Sequence, residues 1–168
     1  MLDQRPGRQR HFHHSFGDAL RGIWDCITSE RNMRIHVVVC CYVVFFGCQL
    51  SLTRGEWAAL FLAMALVTGA EAMNTALEKL CDFAQKNRNP KIRVVKDAAA
   101  GAVLLCALGA AAVGGAVFLR RELWQAVWAI FASPPGLLWF VLSLGAALVF
   151  VLLGPRGIWE QVERRRKK

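Results

Sequence analysis

The sequence has no GxxxxGK[ST] stretch and no GxGxxG loop, so any nucleotide bound here is held without a P-loop or a kinase-type glycine loop. Its six cysteines include no CxxC pair. Four of them, Cys40, Cys41, Cys48 and Cys106, stand in apolar runs where they act as small hydrophobes, so neither a disulfide framework nor a cysteine metal site is expected. Roughly the first fifteen positions hold basic residues but no apolar h-region, and no cleavable signal peptide is expected. Acidic residues are few, 12 Asp and Glu against 21 Lys and Arg, for a formal net charge of +9. That excess does not line a groove-binding helix and is not interleaved with stacking aromatics, so no nucleic-acid partner is expected.

The basic residues flank hydrophobic runs instead. With 55% hydrophobic residues and a mean hydropathy of +0.35, the chain reads as an all-α integral membrane protein rather than a soluble domain. Residues 1–14 form a basic tail, with Pro6 and Gly7 against regular structure; His11, His13 and His14 lack a nearby carboxylate or cysteine and read as solvated or headgroup-facing. Ser15 is expected to open a helix with Asp18 in a short capping box. Phe16, Ala19, Leu20, Ile23, Trp24 and Ile27 then follow the helical apolar spacing, which places this helix in the membrane interface.

A charged junction, Ser29 to His36, leads into a first span over 35–52, about 27 Å long at the helical rise. A turn at Thr53, Arg54, Gly55 and Glu56 precedes a second helix from Trp57, apolar as far as Ala70. Residues 85–96 read as a basic loop broken by Pro90, and Asp97 marks the start of a third span over 98–119, rich in small residues that allow close helix packing. Leu123 to Ser133, with Trp124 and Trp128, reads as interfacial, and a fourth span follows over 136–153 before the basic end at 164–168. The expected organisation is thus a tail (1–14), a membrane core (15–121) and an added interfacial segment, span and basic tail (122–168). With four spans, 18 of the 21 Lys and Arg residues fall on the side of both termini and three on the other, which puts both termini in the cytoplasm.

On the second helix, Glu71, Asn74, Glu78 and Asp82 stay within one arc of roughly 80°, a polar stripe opposite Met73, Ala76, Leu77 and Leu80. Carboxylates in one stripe repel unless a cation, a proton or a basic partner compensates. A divalent metal answers that need. Glu30, Glu71, Glu78 and Asp97 all belong to the cytoplasmic interface together with Lys96, a set that offers hard oxygens to magnesium and ammonium or guanidinium groups to phosphate. A partly desolvated carboxylate there is poised to accept a proton from a lipid hydroxyl. Asp82 reads as a solvated helix-end charge. The competing reading is a small four-span proton-coupled transporter using Glu71, whose site is expected nearer the midplane.

The stretch EAMNTALEKLCD from Glu71, followed at the matching distance by VKDAAAGAVLL from Val95, resembles the signature of the prokaryotic diacylglycerol kinase family, and the junction SERNMRIH resembles its undecaprenol kinase branch. The likeness covers residues 15 to 119. It implies a bacterial cytoplasmic-membrane enzyme with a surface helix and three core spans, a homotrimer with shared active sites that phosphorylates a lipid hydroxyl with ATP and magnesium. The resemblance assigns Glu71 as general base with Asn74 in support, and Glu30 and Glu78 as magnesium residues. It places Glu30, Glu78, Lys96, Asp97, Asn87 and Asn89 at the nucleotide, and Trp24, Asn32, Arg34 and Glu71 at the lipid. Two features depart from the family pattern: residues 122–168 have no counterpart in it, and Asp18 stands where an aromatic residue is frequent.

Overall fold

The computed structural model describes residues 12–85 and 89–166; the first eleven positions with His11, the segment with Lys86, Asn87 and Arg88, and the last two lysines lie outside the described residues. The described chain is helical: α1 (Phe12–Ser29), α2 (Arg31–Cys48), α3 (Arg54–Ala84), α4 (Pro90–Phe118), α5 (Arg121–Ala132) and α6 (Pro134–Arg166). Among the described residues, four helices are long and apolar enough to cross a membrane: α2, α3, α4 and the Pro134–Gly157 part of α6. Helices satisfy their own backbone groups, as hydrocarbon requires. The all-α, four-span integral membrane architecture expected from the sequence is the one the chain adopts.

α1 starts before Ser15, so Ser15 lies inside the helix and the expected capping box does not form; Asp18 pairs instead with Arg21 one turn on. Phe16, Leu20, Ile23 and Trp24 are each more than half exposed on one face, as suits a helix resting in the bilayer interface. Most of the charged junction is helical, since α2 begins at Arg31 rather than at Ile35.

The Cys48 end of α2 and the start of α3 meet tightly, where a Cβ on Gly47 would lie 2.7 Å from the Trp57 ring. Thr53 caps α3 in a capping box with Glu56, and Arg120, just before α5, pairs with the same Glu56. The 31 residues of α3 extend about 46 Å, beyond the roughly 30 Å hydrocarbon core, so the end carrying Glu78 and Asp82 reaches past the membrane edge. The basic loop is shorter than expected. Pro90 opens α4 rather than breaking it, because at the first helical position its missing N–H costs nothing and its ring presets φ; Asn89 caps the helix by accepting from the Lys91 N–H. Lys91, Arg93, Lys96 and Asp97 therefore ride on the first two turns of α4, and Asp97 does not start it.

The buried hydrophobic core is small, with Met33, Leu60, Ala63 and Val67 on α2 and α3 and Leu50 in the turn between them. Most other large apolar side chains face outward, as they do where lipid is the solvent. α3 and α4 form the most extensive helix pair. On another side of α2 lies α6, joined by a 3.0 Å hydrogen bond between the Tyr42 hydroxyl and Ser143 Oγ and by edge contact of Tyr42 with Phe140. α6 is interrupted at Gly154, whose φ of 66° and ψ of 172° no helix contains, and Pro155 follows.

Candidate active site

Glu71 is 2% exposed, the largest fully buried side chain among the described residues. It lies about 26 Å along α3 from Arg54, towards the far side of a hydrocarbon core of roughly 30 Å counted from the helix's charged start. Its polar neighbour is Asn32 on α2, and the charges that reach it belong to Glu30 and Glu78. Local conformation brings Glu30 there. With φ −104° and ψ 125° it is the extended residue between α1 and α2, which interrupts the helical course at that point. Ser29 Oγ donates to Glu30 Oε1 at 3.1 Å, and Lys79 Nζ donates to Ser29 Oγ at 3.3 Å, which fastens the α1–α2 joint to α3.

Asn74, one turn beyond Glu71, donates from Nδ2 to Glu78 Oε1 at 3.0 Å, so the stripe is internally wired. Asn74 Oδ1 and Thr75 Oγ1 are buried with no hydrogen-bond partner among the described residues. A buried polar atom without a partner costs about 1–3 kcal/mol, so each of the two carries a cost that no described residue offsets.

Lys96 also belongs to this end of the molecule. Its Nζ lies 2.5 Å from Asp82 Oδ1, joining α4 to α3, and the charge of Glu78 acts on it. Asp82 is exposed near the end of α3, as expected of a solvated charge, and it also holds the lysine. Asp97 pairs with Arg93 at 3.6 Å on its own helix, both largely exposed. Asn89 is occupied as the cap of α4 and donates to Gln85, while Asn87 is outside the described residues. Trp24 is on the exposed apolar face of α1. Arg34 is buried, and its guanidinium donates to the carbonyls of Ile27, Thr28 and Val151 at 3.3, 3.2 and 3.1 Å.

Thus Glu71, Glu30, Glu78, Asn74 and Asn32 come together, Lys96 stands at the next turn, and Asp97, Asn89 and Arg34 are engaged elsewhere. Lys79 and Thr75 were not singled out from the sequence. Thr75, next to Asn74 in an otherwise apolar helix, carried the stronger signal.

Among the described residues no group of three or more His, Cys, Asp or Glu is placed to hold a metal ion by itself. Magnesium does not ask for such a cage, since it takes one or two carboxylates and draws its other ligands from phosphate and water. Glu30 and Glu78, with the unpartnered oxygen of the Asn74 that bonds Glu78, are the donor types that ion takes and not a closed structural site.

Comparison with known proteins identifies the family. The undecaprenol kinase of Bacillus subtilis is 36% identical over 110 residues, covering 66% of this chain and 89% of the relative. The diacylglycerol kinase of Synechocystis sp. is 37% identical over 106 residues, 62% of this chain and 61% of that relative, so the present chain spans about three fifths of its length. No solved structure matches. The family model for prokaryotic diacylglycerol kinase matches residues 17–118, from α1 to the end of α4, and leaves α5 and α6 outside. The chain belongs to the prokaryotic diacylglycerol kinase family and is a multi-pass membrane lipid kinase.

Proposed function

We propose that the protein transfers the γ-phosphoryl group of ATP, with magnesium, to the hydroxyl of a membrane-embedded lipid alcohol, either diacylglycerol, giving phosphatidic acid, or undecaprenol, giving undecaprenyl phosphate. The observation that carries this reading is the fully buried Glu71 carboxylate at the membrane edge, with Glu30 and Glu78 as its charged neighbours. Glu71 takes the proton as the lipid oxygen bonds to the γ-phosphorus and the bridge to ADP breaks. Asn74 fixes Glu78 through its amide, and Lys96, steadied by Asp82, faces phosphate. Asn32 and the apolar face of α1 with Trp24 receive the lipid headgroup region. Glu30 and Glu78 would hold magnesium, which neutralises charge on the transferred group.

Asp97 is largely exposed and paired with Arg93 of its own helix, which leaves it open to a neighbouring subunit and fits a homotrimer with a shared site. The bias of basic residues supports a bacterial cytoplasmic membrane location with both termini inside. The test is incubation of the purified chain in mixed micelles with radiolabelled ATP and magnesium, offering each lipid separately. Label is expected in one of the two lipids; label in neither overturns the proposal.

A further inference from the structure

The fourth span lies outside the family match, yet it ends in a feature the core uses. In a continuous helix the Val151 carbonyl would accept from the N–H of residue 155, but residue 155 is proline and has none. The freed carbonyl accepts from Arg34 Nε at 3.1 Å. Gly154 makes room: its φ of 66° suits glycine, and a Cβ there would lie 2.9 Å from the Arg34 guanidinium. The same guanidinium donates through Nη1 to the Ile27 and Thr28 carbonyls, which end α1 immediately before Glu30. A cation at a helix C-terminus also meets the negative end of the helix dipole. Beyond the break, Arg156 reaches Asp25 of α1 at 3.5 Å, an exposed pair that adds little.

We propose that the fourth span is a positioning element for the phosphoryl-transfer site: the Gly154–Pro155 break presents the Val151 carbonyl to Arg34, and Arg34 thereby holds the α1–α2 joint that sets Glu30 beside Glu71. Arg34 and Pro155 are positioning residues, acting through Glu30 rather than on substrate. This rests on the reading of Glu30 as a site residue.

The test uses Pro155→Ala, which restores an N–H able to claim Val151, Arg34→Lys, which keeps the charge but loses the fork, their double variant, and Gly145→Ala in open space on α6 as a control. Hydrogen exchange of the full chain in micelles is expected to quicken about tenfold at residues 27–34 in each positioning variant, the scale of one lost hydrogen bond to a charged donor, with α3 and α4 unchanged. The magnesium concentration for half-maximal activity is expected to rise severalfold, and the double variant to be no worse than the more affected single, since both break one link. Gly145→Ala is expected to match wild type. Unchanged exchange at 27–34, quickened exchange throughout α2–α4, or additive single effects would each overturn the proposal. Exchange reports on the joint without turnover. Quickening there with no lipid kinase activity in the wild type would overturn the activity reading and leave the mechanical link standing.

Discussion

Arg34 on α2 and Pro155 on α6 act on the same atom, the Val151 carbonyl: proline deprives it of its helical donor and arginine replaces that donor. Two spans are thereby joined by a charged hydrogen bond at the membrane edge, close to where the α1–α2 joint presents Glu30.

The contact between the Cys48 end of α2 and the start of α3 depends on the absence of a side chain at Gly47. Gly47→Val is expected to destabilise the protein by about 1–3 kcal/mol, the usual cost of overpacking, because the added group must displace the Trp57 ring. Thermal unfolding in detergent checks this. Gly69→Ala on α3, where nothing lies within 4 Å, is expected to leave the midpoint in place.

Thr75 carries a buried hydroxyl without a partner among the described residues. Thr75→Val keeps the shape and removes the polar atom, so stability is expected to stay level or rise by up to about 1 kcal/mol. A loss of stability beyond that in the same unfolding measurement would show that the hydroxyl is satisfied.

Lys96 is held by Asp82, and its proposed work is on phosphate. Lys96→Ala is expected to raise KM for ATP about tenfold or more, the scale of a lost charge-assisted contact, whereas Asp82→Asn, which leaves the cation in place but less steadied, is expected to raise it far less. Steady-state kinetics with ATP varied at saturating magnesium separates the two. Equal effects would mean that Lys96 matters only through its pair with Asp82.

The spans and the polar stripe were legible because hydropathy and helical spacing are local properties, and the fourth apolar run was already expected to stop at Leu153, beside the break at Gly154. The start of α4 was not legible in the same way. A proline within a basic polar stretch reads as a breaker until the preceding Asn89 is seen to cap a helix that begins there. The partners of Asp82 and Arg34 were beyond reach for another reason: each is set by packing between helices, and Arg34 finds Val151 across 117 positions of sequence. The site's central carboxylates were legible; what steadies them was not.

Asn74 stands between the proposed base and the proposed metal residue, bonded to Glu78 and lying one turn from Glu71. Asn74→Ala is expected to lower kcat by at least about tenfold and to raise the magnesium requirement, because Glu78 loses its donor. Titration of activity against magnesium checks it, and an unchanged requirement would detach Asn74 from Glu78's role.

The central claim is that Glu71 accepts the lipid hydroxyl's proton. Its most direct test compares the wild type with Glu71→Gln, a change that keeps the buried shape and removes the base, by following radiolabel from ATP into the preferred lipid. With the fold shown intact by unfolding in micelles, kcat is expected to fall about a hundredfold or more. Retention of wild-type turnover would contradict the account.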